Sequence, residues 1–326
     1  MAPARPARSK AVSLAKDRRA ASASTVRPID GGAFAAPILA PEAMEVARRM
    51  YNELRPAETP LLQTSSGQFQ RLRSGDSDFC TATPRWQSDI AWISPLGEAS
   101  FRFFQALFDR LQIAQQFAFL CEVCLFSAFF VRRRAAHKTN FHRDFPGNAK
   151  TVFTFMAPLH DMSRLSDCQL LCQDHRGRIR QYRYQLGQAI VFGGEFVHST
   201  ETGVAPQPLA FLCFTFGDRR MLAHQWLMAE KTCRAQSFTY QNLTGRVVEL
   251  RPMGTEGFAW VDAVQHKIPE EEEGEEEAGS PLQRGRRVQQ PSASRSEVRC
   301  LARGASFGAA LRMQRAEAAG RFGRVP

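Results

Sequence analysis

Residues 125–159 read LFSAFFVRRRAAHKTNFHRDFPGNAKTVFTFMAPL, short runs of aromatic and β-branched residues broken by polar and Gly-containing turns. Runs of this length and composition mark strands. Three are expected here, at Leu125–Arg133, Thr139–Phe145 and Thr151–Leu159. The texture continues downstream, with strands expected at Cys168–Cys172, Ile179–Tyr184, Ala189–Phe192, Glu195–Ser199 and Leu209–Phe216. No ten-residue helical pattern separates them, so the spacing predicts an antiparallel sandwich or barrel and excludes an alternating βαβ sheet.

Within this region the segment TNFHRDFPG reads as a strand running into a turn. Side chains at i and i+2 of a strand point to the same face, so His142 and Asp144 present an imidazole and a carboxylate side by side, with Arg143 facing the other way. Fifty-four residues after Asp144, the segment AIVFGGEFVHSTETG brings His198 to the end of another apolar strand. Two His and one carboxylate on one face of a metal suit Fe(II) and leave the opposite face open. The bland account of a lone His-x-Asp is an exposed strand end with an ion pair to a nearby arginine. A protein-kinase catalytic loop also carries His-Arg-Asp, but Asn148 follows Asp144 by four positions instead of five, and no Gly-rich phosphate loop, Val-Ala-Ile-Lys strand or Asp-Phe-Gly accompanies it.

The wider pattern resembles the iron(II)- and 2-oxoglutarate-dependent dioxygenases, in particular their prolyl-4-hydroxylase-like branch. There His-x-Asp precedes a strand of the form T-x-x-x-x-L, matched by Thr154 and Leu159. A short apolar strand follows, matched by CQLLC, and then G-x-A-I-x-F before the distal histidine, matched by Gly187, Ala189, Ile190 and Phe192. The likeness covers residues 120–217, about a third of the chain. It implies a double-stranded β-helix (jelly-roll, cupin-like) core in a mainly β protein with flanking helices. It also implies His142, Asp144 and His198 as metal ligands and catalytic centre, with Fe(II), 2-oxoglutarate as cosubstrate, and O2. Because Asp144 is a carboxylate and not the small residue of halogenating members, the resemblance implies a hydroxylase.

The sequence departs from the family at one point. Positions nine and ten after His198 are Gln207 and Pro208, where the family has the Arg or Lys that meets the far carboxylate of 2-oxoglutarate. A buried carboxylate needs a cation or several donors. Candidates are Lys150, Arg132, Arg134, Arg219 and Arg220, with Thr154 as a hydroxyl donor. This departure leaves a second reading open, a catalytically degenerate metal-binding jelly-roll serving as a binding or interaction module.

The chain has 326 residues and a formal charge of +11, with 44% hydrophobic residues. That composition is globular and excludes collagen-like, disulfide-scaffold and wholly disordered classes. The charge sits at the ends: residues 1–28 carry +6 and residues 281–326 carry +8, leaving −3 for residues 29–280. A near-neutral middle does not imply nucleic acid as partner; the unknown substrate is expected to be a protein side chain or a small molecule. The first 28 residues, rich in Ala, Arg and Ser, read as an organelle transit peptide or as a basic disordered tail. The expected location is intracellular, a plastid or mitochondrion if the leader is a transit peptide and the cytoplasm otherwise.

Residues 29–84 are expected as a helical lead-in, 85–235 as the jelly-roll core, 236–268 as a short β extension, and 269–326, with its EEEEGEEE run, as a disordered tail. Apolar residues at three- and four-residue spacing predict helices over Pro41–Leu54 and Glu98–Ile113. The apolar stretch Phe117–Val131 contains Glu122 and is too short to span a bilayer, so no membrane span is expected. The eight cysteines read as small buried hydrophobes, including the pair in FLCEVCLF, whose context lacks the polar residues of a zinc site. His137 and His160 read as exposed or capping residues, and Tyr182 and Tyr184 as part of a sheet face or a substrate wall.

Overall fold

A computed structural model describes residues 26–263 except 30, 59–62, 65–66, 85–88, 149 and 253–257. The transit-peptide and tail expectations therefore lie outside the described residues. In chain order the first strands are β1 (Arg27–Ile29), β2 (Ala33–Pro37), β3 (Arg55–Pro56), β4 (Gln63–Thr64), β5 (Gly67–Ser74), β6 (Ser77–Pro84) and β7 (Ile90–Pro95). Then come β8 (Val123–Ala136), β9 (Val152–Pro158), β10 (Leu170–Gln173), β11 (Ile179–Tyr182), β12 (Gln188–Gly193), β13 (Val197–Thr200) and β14 (Gly203–Asp218). The last are β15 (Thr239–Gln241), β16 (Val247–Pro252) and β17 (Phe258–Asp262). The helices are α1 (Pro41–Glu53), α2 (Glu98–Arg110), α3 (Ile113–Gln116) and α4 (Ala223–Gln236).

Two antiparallel sheets face each other. The large one runs β1-β2-β12-β9-β14-β8-β7-β6-β5-β3, and the small one runs β11-β10-β13. An isolated bridge between His142 and His198 adds a further station beside β13. From β8 onward the chain visits large, small, large, small, small, large, small and large sheet in turn: β8, His142, β9, β10, β11, β12, β13, β14. That alternation is the double-stranded β-helix, with β12-β9-β14-β8 as one wall and β11-β10-β13-His142 as the other.

Over 124–131 of β8 and 209–217 of β14 the strands are buried on both faces, which explains why these stretches read as unbroken apolar runs instead of alternating ones. Phe130 and Phe214 face outward onto α2, whose Phe104 and Phe108 rings lie 5.1 Å and 5.5 Å from them. Phe129 and Val131 of β8 and Phe211 and Cys213 of β14, at the alternate positions, face inward and line the barrel together with Leu170, Ile190 and Phe192. The α2 stripe anticipated from residue spacing is thus the wedge that presses the large sheet from behind.

Several expectations change. The helix expected over Glu98–Ile113 ends at Arg110, because Gln112 adopts a left-handed conformation, φ 55°, that breaks it from α3. Residues 29–84 hold α1 and also β2 to β6, so they contain more strand than helix. The β5–β6 hairpin turns at Gly75, φ 54°, and extends the large sheet beyond the barrel. Strand Thr139–Phe145 shrinks to the single bridge at His142, since Asn140 gives its N–H to the Ser199 hydroxyl and Gly147, φ 88°, turns the chain away. Within 236–268, the segment expected as a short β extension, the described residues form β15–β17. No helix among the described residues is long and apolar enough to cross a membrane.

Because Phe104 joins α2 to β8 and β14 at zero exposure, its truncation leaves a cavity that neighbouring rings cannot fill. Phe104→Ala is expected to cost about 3–5 kcal/mol, read as a lower urea midpoint at unchanged slope; a loss below about 1 kcal/mol would show that α2 is not what holds the sheet.

Candidate metal centre

The His142–His198 bridge sets the site. His142 N–H donates to His198 O at 2.9 Å, and His198 N–H donates to His142 O at 3.0 Å. Closely paired residues present their side chains on one face, and the two imidazole centroids lie 4.5 Å apart. Asp144, two residues on, brings its carboxylate between them. Its Oδ1 is 3.5 Å from His142 Nε2 and 3.7 Å from His198 Nε2. One ligand atom from each of the three residues lies within 4.8 Å of the others.

The remaining polar atoms are arranged around that convergence. His142 Nδ1 lies 2.7 Å from Asn140 O and His198 Nδ1 lies 3.2 Å from Phe196 O. Carbonyl oxygens only accept, so each Nδ1 carries the proton and each Nε2 turns a lone pair toward Asp144. Thr154 Oγ1 donates to Asp144 Oδ2 at 2.9 Å, leaving Oδ1 as the oxygen that faces the imidazoles. Thr232 of α4 donates to the Asp144 main-chain carbonyl at 3.1 Å. Gly194, after β12, packs so closely that a Cβ there would lie 2.1 Å from Phe145 O; no larger residue fits behind the ligand segment. The donor set, with fixed tautomers and second contacts on every ligand, fits a divalent ion such as Fe(II).

Burial pushes the His198 imidazole down to about 4, helped by the neighbouring His142 and opposed by Asp144. His198 therefore stays neutral and available as a ligand, while His142, 45% exposed at its side chain, forms the solvent side of the triangle.

Of the five cationic candidates for a cosubstrate anchor, none enters the barrel. Lys150 is exposed beyond the turn at Gly147, and Arg132 and Arg134 are exposed on the outer face of β8. Arg219 is exposed past the end of β14, its N–H donating to Glu122 O, and Arg220 pairs with Glu122 and Asp218 outside the barrel. Thr154 sits inside, but its one hydroxyl proton goes to Asp144. Positions 207 and 208 are exposed because β14 departs from its register with β8 between Val204 and Leu209.

The cation inside the barrel is Arg133, 5% exposed. It shares the inner face of β8 with Val131 and Phe129 and is paired with Leu209. Its guanidinium donates to Thr200 Oγ1 and, at 3.1 Å, to Cys168 O, and lies 5.3 Å from the centre of the Phe211 ring. The Tyr184 hydroxyl, kept protonated by burial, is a further neighbour. Nε has no hydrogen-bond partner, and the guanidinium's hydrogen-bond partners among the described residues are a hydroxyl and a carbonyl, with no carboxylate paired to it. Thr200 lies two residues beyond His198 on the same strand face, about 6.6 Å. Sequence reasoning passed over the middle arginine of Arg132-Arg133-Arg134. Counting in twos from the inward Phe129 would have found it, but two apolar faces hide which parity is inward.

No family model matches the chain, and no curated protein matches it. Among solved structures it is similar to HygX from Streptomyces hygroscopicus with nickel and 2-oxoglutarate bound, at 11% identity over 58% of this chain and 84% of that one, TM-score 0.40. It is also similar to a Pseudomonas putida prolyl-4-hydroxylase, at 20% identity over 58% and 93%, TM-score 0.36. A third is a 2OG-Fe(II) oxygenase family oxidoreductase from Burkholderia pseudomallei, at 12% identity over 65% and 92%, TM-score 0.38. Likeness at this level carries no function by itself; that rests on the residues of this chain.

The His198 environment has a consequence for stability. Its folded value lies below the unfolded value of about 6.5, so the unfolded chain takes up the proton first as the pH drops. In protein stripped of divalent ions by a chelator, stability is expected to be full above about pH 6.5 and to fall as the pH drops through about 4. Urea midpoints across that window measure it, and His198→Gln should flatten the slope.

Proposed function

We propose that the protein is an iron(II)- and 2-oxoglutarate-dependent oxygenase of the hydroxylase type. The observation that supports this reading is Arg133, a buried cation without a carboxylate partner among the described residues, hydrogen-bonded to Thr200 two residues along the strand from His198. A charge in that position is costly unless an anion joins it. The far carboxylate of 2-oxoglutarate is an anion of the required reach, with its 2-oxo acid end at the triangle.

His142, Asp144 and His198 would hold Fe(II), which with 2-oxoglutarate supplies the oxygen activation needed to hydroxylate an unactivated C–H bond. The chain's own residues do the rest. Thr154 keeps one Asp144 oxygen occupied, so that the other points at the imidazoles. The Asn140 and Phe196 carbonyls hold both rings with Nε2 inward. Arg133, with the Thr200 hydroxyl and the neutral Tyr184, binds and orients the cosubstrate's distal end. Phe129, Phe192, Phe211 and Cys213 line the space between and exclude water, which strengthens each of these contacts.

The alternative, a degenerate binding module, is favoured by Gln207 and Pro208 standing where related enzymes have a base. Arg133 removes the force of that argument, because a guanidinium on the neighbouring strand can serve the same carboxylate.

Anaerobic titration with Fe(II) and 2-oxoglutarate is expected to give a weak visible charge-transfer band, and air to release succinate. His142→Ala should abolish the band. Arg133→Met should raise the 2-oxoglutarate concentration needed by about tenfold or more, as for truncation of one partner of a buried charge pair, while leaving metal affinity unchanged. Iron binding with neither band nor succinate would give the protein to the binding-module reading.

A further inference from the structure

Three hydroxyls stand side by side on the inner face of the large sheet, behind Asp144. Thr215 of β14 lies opposite Thr154 of β9 on one side and opposite Ser127 of β8 on the other. It follows the inward Phe211 and Cys213 at two-residue spacing, so its side chain points into the barrel. Directly opposed side chains on neighbouring strands have Cβ atoms about 4.5–5.5 Å apart. Thr215 is therefore the neighbour of Thr154, the residue that donates to Asp144 Oδ2 at 2.9 Å.

The Thr215 hydroxyl is fully buried, and its Oγ1 meets no hydrogen-bond partner among the described residues. A valine has nearly the same shape and would fill the place without taking a hydroxyl out of water. Ser127, equally buried, adjoins the Cys233 thiol of α4 on its other side. Thr154 has the complementary need. Its one proton goes to Asp144, while its oxygen keeps lone pairs that accept. Thr215 Oγ1 makes no direct bond to it. One water, with a bond of about 2.8 Å to each oxygen, spans up to about 5.5 Å, which is the separation that strand pairing sets. Both oxygens are polar groups facing an otherwise apolar wall, the kind of place where internal waters are held.

We infer that one buried water, held between the Thr215 and Thr154 hydroxyls, completes a hydrogen-bond chain behind Asp144 and makes Thr215 a positioning residue for that carboxylate. The inference rests on the proposed metal-binding role of Asp144. A carboxylate only accepts, so the chain has one direction: Thr215 donates to the water, the water to Thr154, and Thr154 to Asp144 Oδ2. Each bond polarises the next in a place shielded from bulk solvent. Oδ2 is thereby held toward the sheet and Oδ1 toward the two imidazoles.

The test uses the full chain. In protein treated with a chelator, 17O relaxation dispersion of the solvent counts long-lived internal waters; one fewer is expected in Thr215→Val than in the native chain, with the count restored in Thr215→Ser. Mn(II) affinity, measured by competition with a chelator, is expected to fall about tenfold in Thr215→Val. The zero-field splitting of bound Mn(II) should change with it, and both should return in Thr215→Ser. Where Thr215→Val does not fold, Thr215→Cys, which keeps the volume and weakens the donor, takes its place. An unchanged water count overturns the inference. So does a raised melting temperature with unchanged Mn(II) affinity, the result expected for removing an idle buried hydroxyl. A lost water with affinity and spectrum unmoved overturns the positioning role. A chain that keeps the water but binds no Mn(II) sinks the metal-binding reading and leaves the water site standing, so the two failures are distinguishable.

Discussion

Two backbone hydrogen bonds, exchanged between His142 and His198, are the constraint on which the site depends. They join segments 56 residues apart in the chain, and they do so at the one place where the small sheet borders a loop instead of a full strand. A ladder of several pairs would fix the segment more firmly but would commit Asn140 and Asp144 to pairing geometry. With a single bridge, Asn140 can use its N–H on Ser199 and its carbonyl on the His142 ring. Asp144 can then leave the sheet and lean across both imidazoles. The loss of regular strand is what lets three side chains converge.

Firmness is supplied from outside the sheet. Gly194 lets the β12–β13 turn press against Phe145 O, Thr232 of α4 holds the Asp144 carbonyl, and Asn148 donates to Gln225 O at 2.9 Å. Each contact immobilises backbone within four residues of His142, Asp144 or His198. A helix that follows the barrel in sequence thereby becomes part of the scaffold of this cluster, although it supplies none of the three side chains.

How far the sequence could be read follows from the periods involved. The barrel strands were legible from their apolar runs, whereas the strand expected to align His142 with Asp144 is a single bridge, and the two side chains meet through the bend that follows it. Helices α1 and α2 were legible from one-sided apolar stripes. Strands β5 and β6 were not, since Gln68, Gln70, Arg71 and Arg73 dilute the apolar signal and their partners come from elsewhere in the large sheet. Arg133 was not, for a different reason. Inward and outward parity on β8 is decided by which face α2 covers, and that is settled only when Phe104 meets Phe130.

The position of Arg133 and the irregularity of β14 belong to one arrangement. Where β14 leaves its register between Val204 and Leu209, residues Pro206, Gln207 and Pro208 turn to solvent. No side chain from that stretch reaches the barrel's inner end. The two prolines lack the N–H groups a regular ladder would demand, so the departure is written into the strand. The adjacent position on β8, opposite Leu209, is then the nearest point from which a long cation can enter the same space. Its hydrogen-bond partners among the described residues, Thr200 and the Cys168 carbonyl, are neutral, as is the nearby Tyr184 hydroxyl. A guanidinium held by neutral partners gains more from an incoming carboxylate than one already in an ion pair.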